Sequence, residues 1–395
     1  MKKGLGGFRS DPMMLLYCVT SVRRHLFPPC IYFPDMVRIP SGFVYRMWAL
    51  ARVIAGSIAG ALKIPTWIIT ALARGSAPPK FTPQPSLKAD AVPELPLRDV
   101  ELTSSDGTRL HAVTDDGAKR VAGKRPIVFV HGYPEAWWSY VPQLRFFIAA
   151  GHPVLALSMR GYGASDKPKG IHNYHIYNCL TKDISAAVNY MADPNTKPLL
   201  VAHDWGAGVS WAYVSEGVSK NAWDVAGYVS LSNPPGECFK SNMGARQMWA
   251  SIYMVFFNMP WLPELVFKLS NAWVIGLMLN DTWSVRREPR WLDLYRTDKL
   301  QPEAMRAQTD YYRAAIQLGA RPEKGNILRE TNKLQLPVLM VRGKQDIALL
   351  GSIFTGYEKI LAKAKLIELD ACSHWITVDK PDETCAAIAS FLAEL

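Results

Sequence analysis

Ala202-His203-Asp204-Trp205-Gly206 places a carboxylate at the centre of a small-x-nucleophile-x-small run, directly after the apolar stretch Leu199-Leu200-Val201. A strand that turns sharply into a helix needs small residues on either side of the turn, and Ala202 and Gly206 supply them. Taken alone, Asp204 would read as a helix N-cap, a position that Asp favours. Two further residues change that reading. Asp346 follows the apolar run 337–341, and His374 follows the strand-like run 365–369. Nucleophile, acid and histidine thus come in that order, each beyond a separate strand.

A carboxylate nucleophile attacks a saturated electrophilic carbon and leaves an ester on the protein. His374 is then the general base for water, with Asp346 orienting the imidazole. His131-Gly132-Tyr133-Pro134 follows the apolar run 126–130. The backbone N–H groups of Tyr133 and Trp205 would form the oxyanion hole. Such a set needs no metal and no organic cofactor. The cysteines at 18, 30, 179, 238, 372 and 385 form no CxxC pair, so neither a zinc site nor a disulfide framework is supported.

The elements around these residues must hold them at one edge of a sheet. Residues 101–114 read as a hairpin turning at Asp106-Gly107. Strand-like runs at 126–130, 153–157, 199–203, 225–232, 337–343 and 365–371 are separated by helix-like stretches around 137–150, 174–191 and 382–394. That alternation predicts an α/β fold, a mostly parallel sheet with helices on both faces, with ligands bound beyond the carboxyl ends of the strands. The stretch 237–325 breaks the alternation, is helical in character and dense in aromatics, and is expected to be an inserted helical cap over a core of 97–236 and 326–395.

The chain carries a net charge of +11, and part of the excess sits before residue 50. No basic cluster with interleaved aromatics accompanies the motifs, so a nucleic-acid partner is not expected. Residues 1–75 form a basic N-terminal region with a candidate membrane anchor at about 47–73, interrupted by Arg52 and Lys63. A spanning helix, an interfacial helix with snorkelling cations and a soluble amphipathic helix remain open; the hydropathy and flanking charges favour membrane attachment. Residues 76–96, rich in Pro and Ser, read as a linker.

The motifs HGYP, RGYGASDKP (160–168), AHDWGA and GKQD…SHW together resemble the epoxide hydrolase branch of the α/β-hydrolases, over about residues 95–395. The N-terminal apolar segment is similar to that of the membrane-anchored, animal-type members. The resemblance implies hydrolysis of lipophilic epoxides to vicinal diols through an alkyl-enzyme ester on Asp204. It also implies two cap tyrosines that hydrogen-bond the epoxide oxygen. These fall at Tyr253 in Ser251–Asn258 and at Tyr312 in Asp310–Arg313, with Tyr311 as the fallback. One departure is Tyr133, where the family often has Phe; the backbone N–H is unaffected. The alternative is a haloalkane dehalogenase using the same aspartate. Membrane association, at the endoplasmic reticulum or another endomembrane, is expected. Its sidedness stays open, and a sugar at the Asn280-Asp281-Thr282 sequon would mark lumenal exposure. The particular epoxide and the oligomeric state are not read from the sequence.

Overall fold

A computed structural model describes residues 81–395 except 194, 280–288, 320, 322 and 323. The basic region 1–75, its candidate anchor 47–73 and the Asn280 sequon lie outside the described residues. Among the described residues no helix is long and apolar enough to cross a membrane.

Eight strands make one sheet: β1 (Leu97–Thr103), β2 (Arg109–Asp115), β3 (Ile127–Val130), β4 (Val154–Leu157), β5 (Leu199–His203), β6 (Gly227–Leu231), β7 (Val338–Gly343) and β8 (Ala364–Leu369). Their spatial order is β1-β2-β4-β3-β5-β6-β7-β8. β2 runs antiparallel to both its neighbours, and every pairing from β4 through β8 is parallel. The hairpin joining β1 to β2 turns at Gly107, whose φ of +86° suits glycine. β3, β4, β5 and β6 are buried along their whole length. Their unbroken apolar runs, without alternation, are what a sheet covered on both faces requires.

Four helices belong to this layer: α1 (Val141–Ala149), α2 (Thr181–Met191), α3 (Asp204–Glu216) and, closing the chain, α8 (Pro381–Ala393). Between β6 and β7 the chain is helical, with α4 (Tyr253–Asn258), α5 (Leu262–Leu269), α6 (Pro289–Leu300) and α7 (Ala304–Gln317) as its main elements. This insertion returns over the carboxyl ends of the strands. The Tyr311 hydroxyl of α7 donates to the carbonyl of Arg160 just beyond β4, 2.8 Å away.

Residues 81–96 differ from the expected linker. Leu87, Ala89, Val92 and Leu95 are buried, and Leu87 accepts a hydrogen bond from the Trp137 indole at 2.9 Å. Gln84 donates its N–H to Thr297 of α6 at 2.9 Å. The Pro-rich composition gives an extended arm with little secondary structure, but its apolar residues bury surface worth about 1.5–3 kcal/mol for each large side chain, and that holds the arm down.

Candidate active site

Asp204 opens α3 directly at the end of β5, with a φ of +47°. That left-handed backbone is strained for a side-chain-bearing residue and is the mark of the sharp strand-to-helix turn. The turn is held by close packing. A Cβ on Gly206 would lie 2.4 Å from the carbonyl oxygen of His131, and one on Gly132 would lie 2.4 Å from Cβ of Asp204. Both positions therefore require glycine. The Asn233 amide donates to the Asp204 carbonyl oxygen at 3.0 Å, tying the turn to the segment after β6.

This closeness brings the loop after β3 onto the carboxylate. The Tyr133 N–H donates to Asp204 Oδ1 at 2.8 Å. His131 shapes that loop: its Nδ1 donates to the Gly132 carbonyl at 2.9 Å, and its Nε2 accepts the Met159 N–H at 3.1 Å. An acceptor role at Nε2 requires the neutral ring. Burial agrees, pushing the pKa of His131 down to about 4. Trp205 is the second residue of α3, so its N–H has no intrahelical acceptor by helix geometry.

The second carboxylate oxygen faces the histidine. His374 Nε2 lies 3.4 Å from Asp204 Oδ2, and His374 Nδ1 lies 2.7 Å from Asp346 Oδ2. Asp346 is itself fixed, its Oδ1 accepting the N–H groups of Ala348 and Leu349 at 2.8 Å each. Burial disfavours charge on His374, but the Asp346 carboxylate and the Asp204 hydrogen bond outweigh it and raise the imidazole well above its ordinary range. Burial likewise works against the Asp204 carboxylate, and His374 more than offsets it, lowering its pKa.

The cap closes the other side. The Tyr312 ring meets Trp205 edge-on at 4.9 Å and Tyr133 at 5.5 Å between centroids, and Tyr253 stands 6.2 Å from Tyr312. Among the described residues neither phenol hydroxyl bonds to a protein group. Tyr311, by contrast, spends its hydroxyl on the Arg160 carbonyl and lies against Tyr162 and Tyr174. Both Tyr253 and Tyr312 are held protonated: burial comes first, with the Asp204 charge adding to it. A separate cavity of about 910 Å³ opens on the cap, lined by Trp261, Lys268, Gln301 and Arg306 among others; none of the site residues lines it.

Two participants in this geometry are not legible from motif reasoning. Glu135, buried in the loop after β3, is hydrogen-bonded to Nδ1 of buried His203. His203 in turn donates through Nε2 to the main-chain carbonyl of His374 at 2.9 Å, where the Ser232 hydroxyl also donates. The signals were present, a Glu after HGYP and a His before the nucleophile, but neither position states its partner.

The sequence model of the alpha/beta hydrolase family matches residues 127–387. Epoxide hydrolase 3 of Mus musculus is 30% identical over 333 residues, covering 81% of this chain and 83% of its own. Epoxide hydrolase 4 of Homo sapiens is 29% identical over 301 residues, covering 73% and 76%. A solved structure of an epoxide hydrolase mutant from Bacillus megaterium, complexed with its naphthyloxy-propanediol product, shares the fold. It has a TM-score of 0.61 and 22% identity, over 74% of this chain and all of that one. Sequence and fold thus agree with the site geometry, and the chain belongs to the epoxide hydrolases of the α/β-hydrolase family.

Proposed function

We propose that this protein hydrolyses lipophilic epoxides to vicinal diols in two steps, with Asp204 as the covalent nucleophile. The observation that carries the reading is the pairing of a carboxylate fixed between Tyr133 N–H and His374 with two cap phenols whose hydroxyls are unspent. Asp204 attacks an epoxide carbon, the carbon–oxygen bond breaks, and the departing alkoxide takes a proton from Tyr253 or Tyr312. A phenol serves because it is protonated across the physiological range. His374, oriented by Asp346, then takes a proton from water. The hydroxide attacks the Asp204 ester carbonyl, and the oxyanion rests on the Tyr133 N–H, with that of Trp205 as the second donor. Collapse expels the new diol oxygen as an alkoxide, which takes the proton left on the Asp204 carboxyl, so the diol leaves and the carboxylate is restored.

Forming the ester has a second effect. It removes the Asp204 charge that raises the His374 imidazole, so the imidazolium passes its proton to the phenolate left by ring opening and becomes a base at the moment one is needed. The lipophilic substrate class rests on the aromatic walls around Tyr133, Tyr312 and Phe257. Residues 47–73 are proposed to attach the protein to an endomembrane, supported by their apolar length and basic flanks.

A single turnover in heavy-oxygen water tests the route. Label is expected in the Asp204 carboxylate, because that carboxylate supplies the first diol oxygen. Label confined to the diol would mean direct attack by water.

A further inference from the structure

Behind the oxyanion loop the cap places a charged pair that the mechanism above leaves unused. Asp298 and Lys299 of α6 have fully buried side chains, with Nζ 2.7 Å from Oδ2. Asp298 reaches across to the core, its Oδ1 accepting the Gly163 N–H at 2.6 Å. Gln308 of α7 bridges the same seam, donating through Nε2 to Asp298 Oδ2 at 2.9 Å and to the Gly161 carbonyl at 3.1 Å. The Lys299 ammonium stands 4.9 Å from the ring centre of Tyr162 and 5.8 Å from that of Tyr133. The core loop that receives these bonds is itself immobilised, since the buried Arg160 side chain pairs with Asp183 at 2.6 Å and with Asp106 at 2.8 Å.

Burying two charges costs several kcal/mol per ion before their attraction is counted, and a well-packed apolar pair is often as stable. The pair is therefore a poor device for stability and a good one for geometry, because Asp298 meets Lys299, Gly163 and Gln308 together in one cap position. That position matters to the site. Gln308 and Tyr312 are one helical turn apart on α7 and share a face. The Tyr133 ring under Lys299 meets the Tyr312 ring edge-on, and its own N–H holds Asp204.

We propose that Asp298, Lys299 and Gln308 are positioning residues that set the register of the cap on the 160–163 loop, and so place the Tyr312 hydroxyl over the epoxide oxygen. The proposal rests on the two-step reading of Asp204 given above. It predicts a defect mainly in ring opening, since hydrolysis of the ester depends on His374, Asp346 and the main-chain N–H groups of Tyr133 and Trp205, all of which belong to the core.

The test is single-turnover kinetics of the full chain with an aryl epoxide, resolving ester formation from ester hydrolysis, alongside thermal melting. Two variants are compared with the parent: the double change Asp298→Leu with Lys299→Met, which strands no charge, and Gln308→Met, which leaves the ion pair in place. Ester formation should slow about ten- to a hundredfold in each, the scale of a misplacement near 1 Å. Ester hydrolysis should stay within about twofold of the parent in both variants, even though the unpaired Gly163 N–H lowers the melting temperature of the double variant. Unchanged ester formation in Gln308→Met, or an equal slowing of both steps with a lower melting temperature, would overturn the proposal. If the parent enzyme itself forms no ester, the nucleophilic role of Asp204 fails first, and that result is read without any variant.

Discussion

The imidazole of His203 is hydrogen-bonded to the main-chain carbonyl of His374, with Nε2 2.9 Å from the oxygen. Glu135 holds the other ring nitrogen. The peptide of His374, the proposed general base, is thus held by a second carboxylate–imidazole pair. Glu135→Gln keeps the shape and removes the charge. It should lower kcat about tenfold, equivalent to about 1.4 kcal/mol in the barrier. The loss should fall on ester hydrolysis, so KM should fall together with kcat and kcat/KM should stay unchanged. Rapid-quench kinetics checks this, and an unchanged hydrolysis rate would show that the pair is only packing.

In the two-step route proposed above the two cap phenols divide one task, whereas Tyr311 holds the Arg160 carbonyl. Tyr253→Phe and Tyr312→Phe should each slow ring opening by about ten- to a hundredfold, with a larger loss in the double variant, since general acid catalysis contributes about 10²–10⁴ in total. Tyr311→Phe should leave the chemistry intact. It strips a buried carbonyl at Arg160 of its donor, at a cost of about 1–3 kcal/mol in stability. Paired melting and single-turnover measurements separate the two outcomes. A chemical defect in Tyr311→Phe with normal ring opening in Tyr312→Phe would reverse the assignment.

His374 should titrate at two different places. In the resting enzyme both Asp346 and Asp204 raise it. In the ester only Asp346 keeps its charge. The pH midpoint for ester hydrolysis should therefore lie below the midpoint for the resting imidazole. Comparing the pH profile of ester decay with an NMR titration of the free enzyme checks this; coincident midpoints would count against it. His374→Gln should accumulate the ester, visible as a mass increase by one substrate, because the first step needs no base.

His131 makes a prediction about acid. An unfolded imidazole takes up a proton below its ordinary 6.5, whereas folded His131 stays neutral to about 4. The unfolded state binds more protons in that window, so stability falls as the pH drops through it, by up to about 3 kcal/mol. Denaturant melts at pH 7 and pH 4.5 should show a smaller difference for His131→Gln than for the parent.

The sheet was readable because its central strands are short apolar runs bounded by turn residues, and each catalytic motif stands directly after one. Asp204, Asp346 and His374 were expected from that placement, and Tyr253 and Tyr312 from resemblance. Glu135 and His203 were not, since they lie 68 residues apart and neither has a local pattern that requires the other. Asp298-Lys299 reads as an ordinary solvated helix pair until the fold closes over it. Residues 81–96 misled for a different reason: proline and serine suppress secondary structure, which is a separate matter from whether Leu87, Val92 and Leu95 find a surface to cover.

That arm has a mechanical consequence. It enters the described fold with the Phe81 ring 4.3 Å from the guanidinium of Arg296 on α6, so the polypeptide arrives on the cap. A pull on residue 81 would therefore reach the helix that carries Asp298 and Lys299 before it reaches the sheet, and Gln84 on Thr297 adds a second hold on that helix.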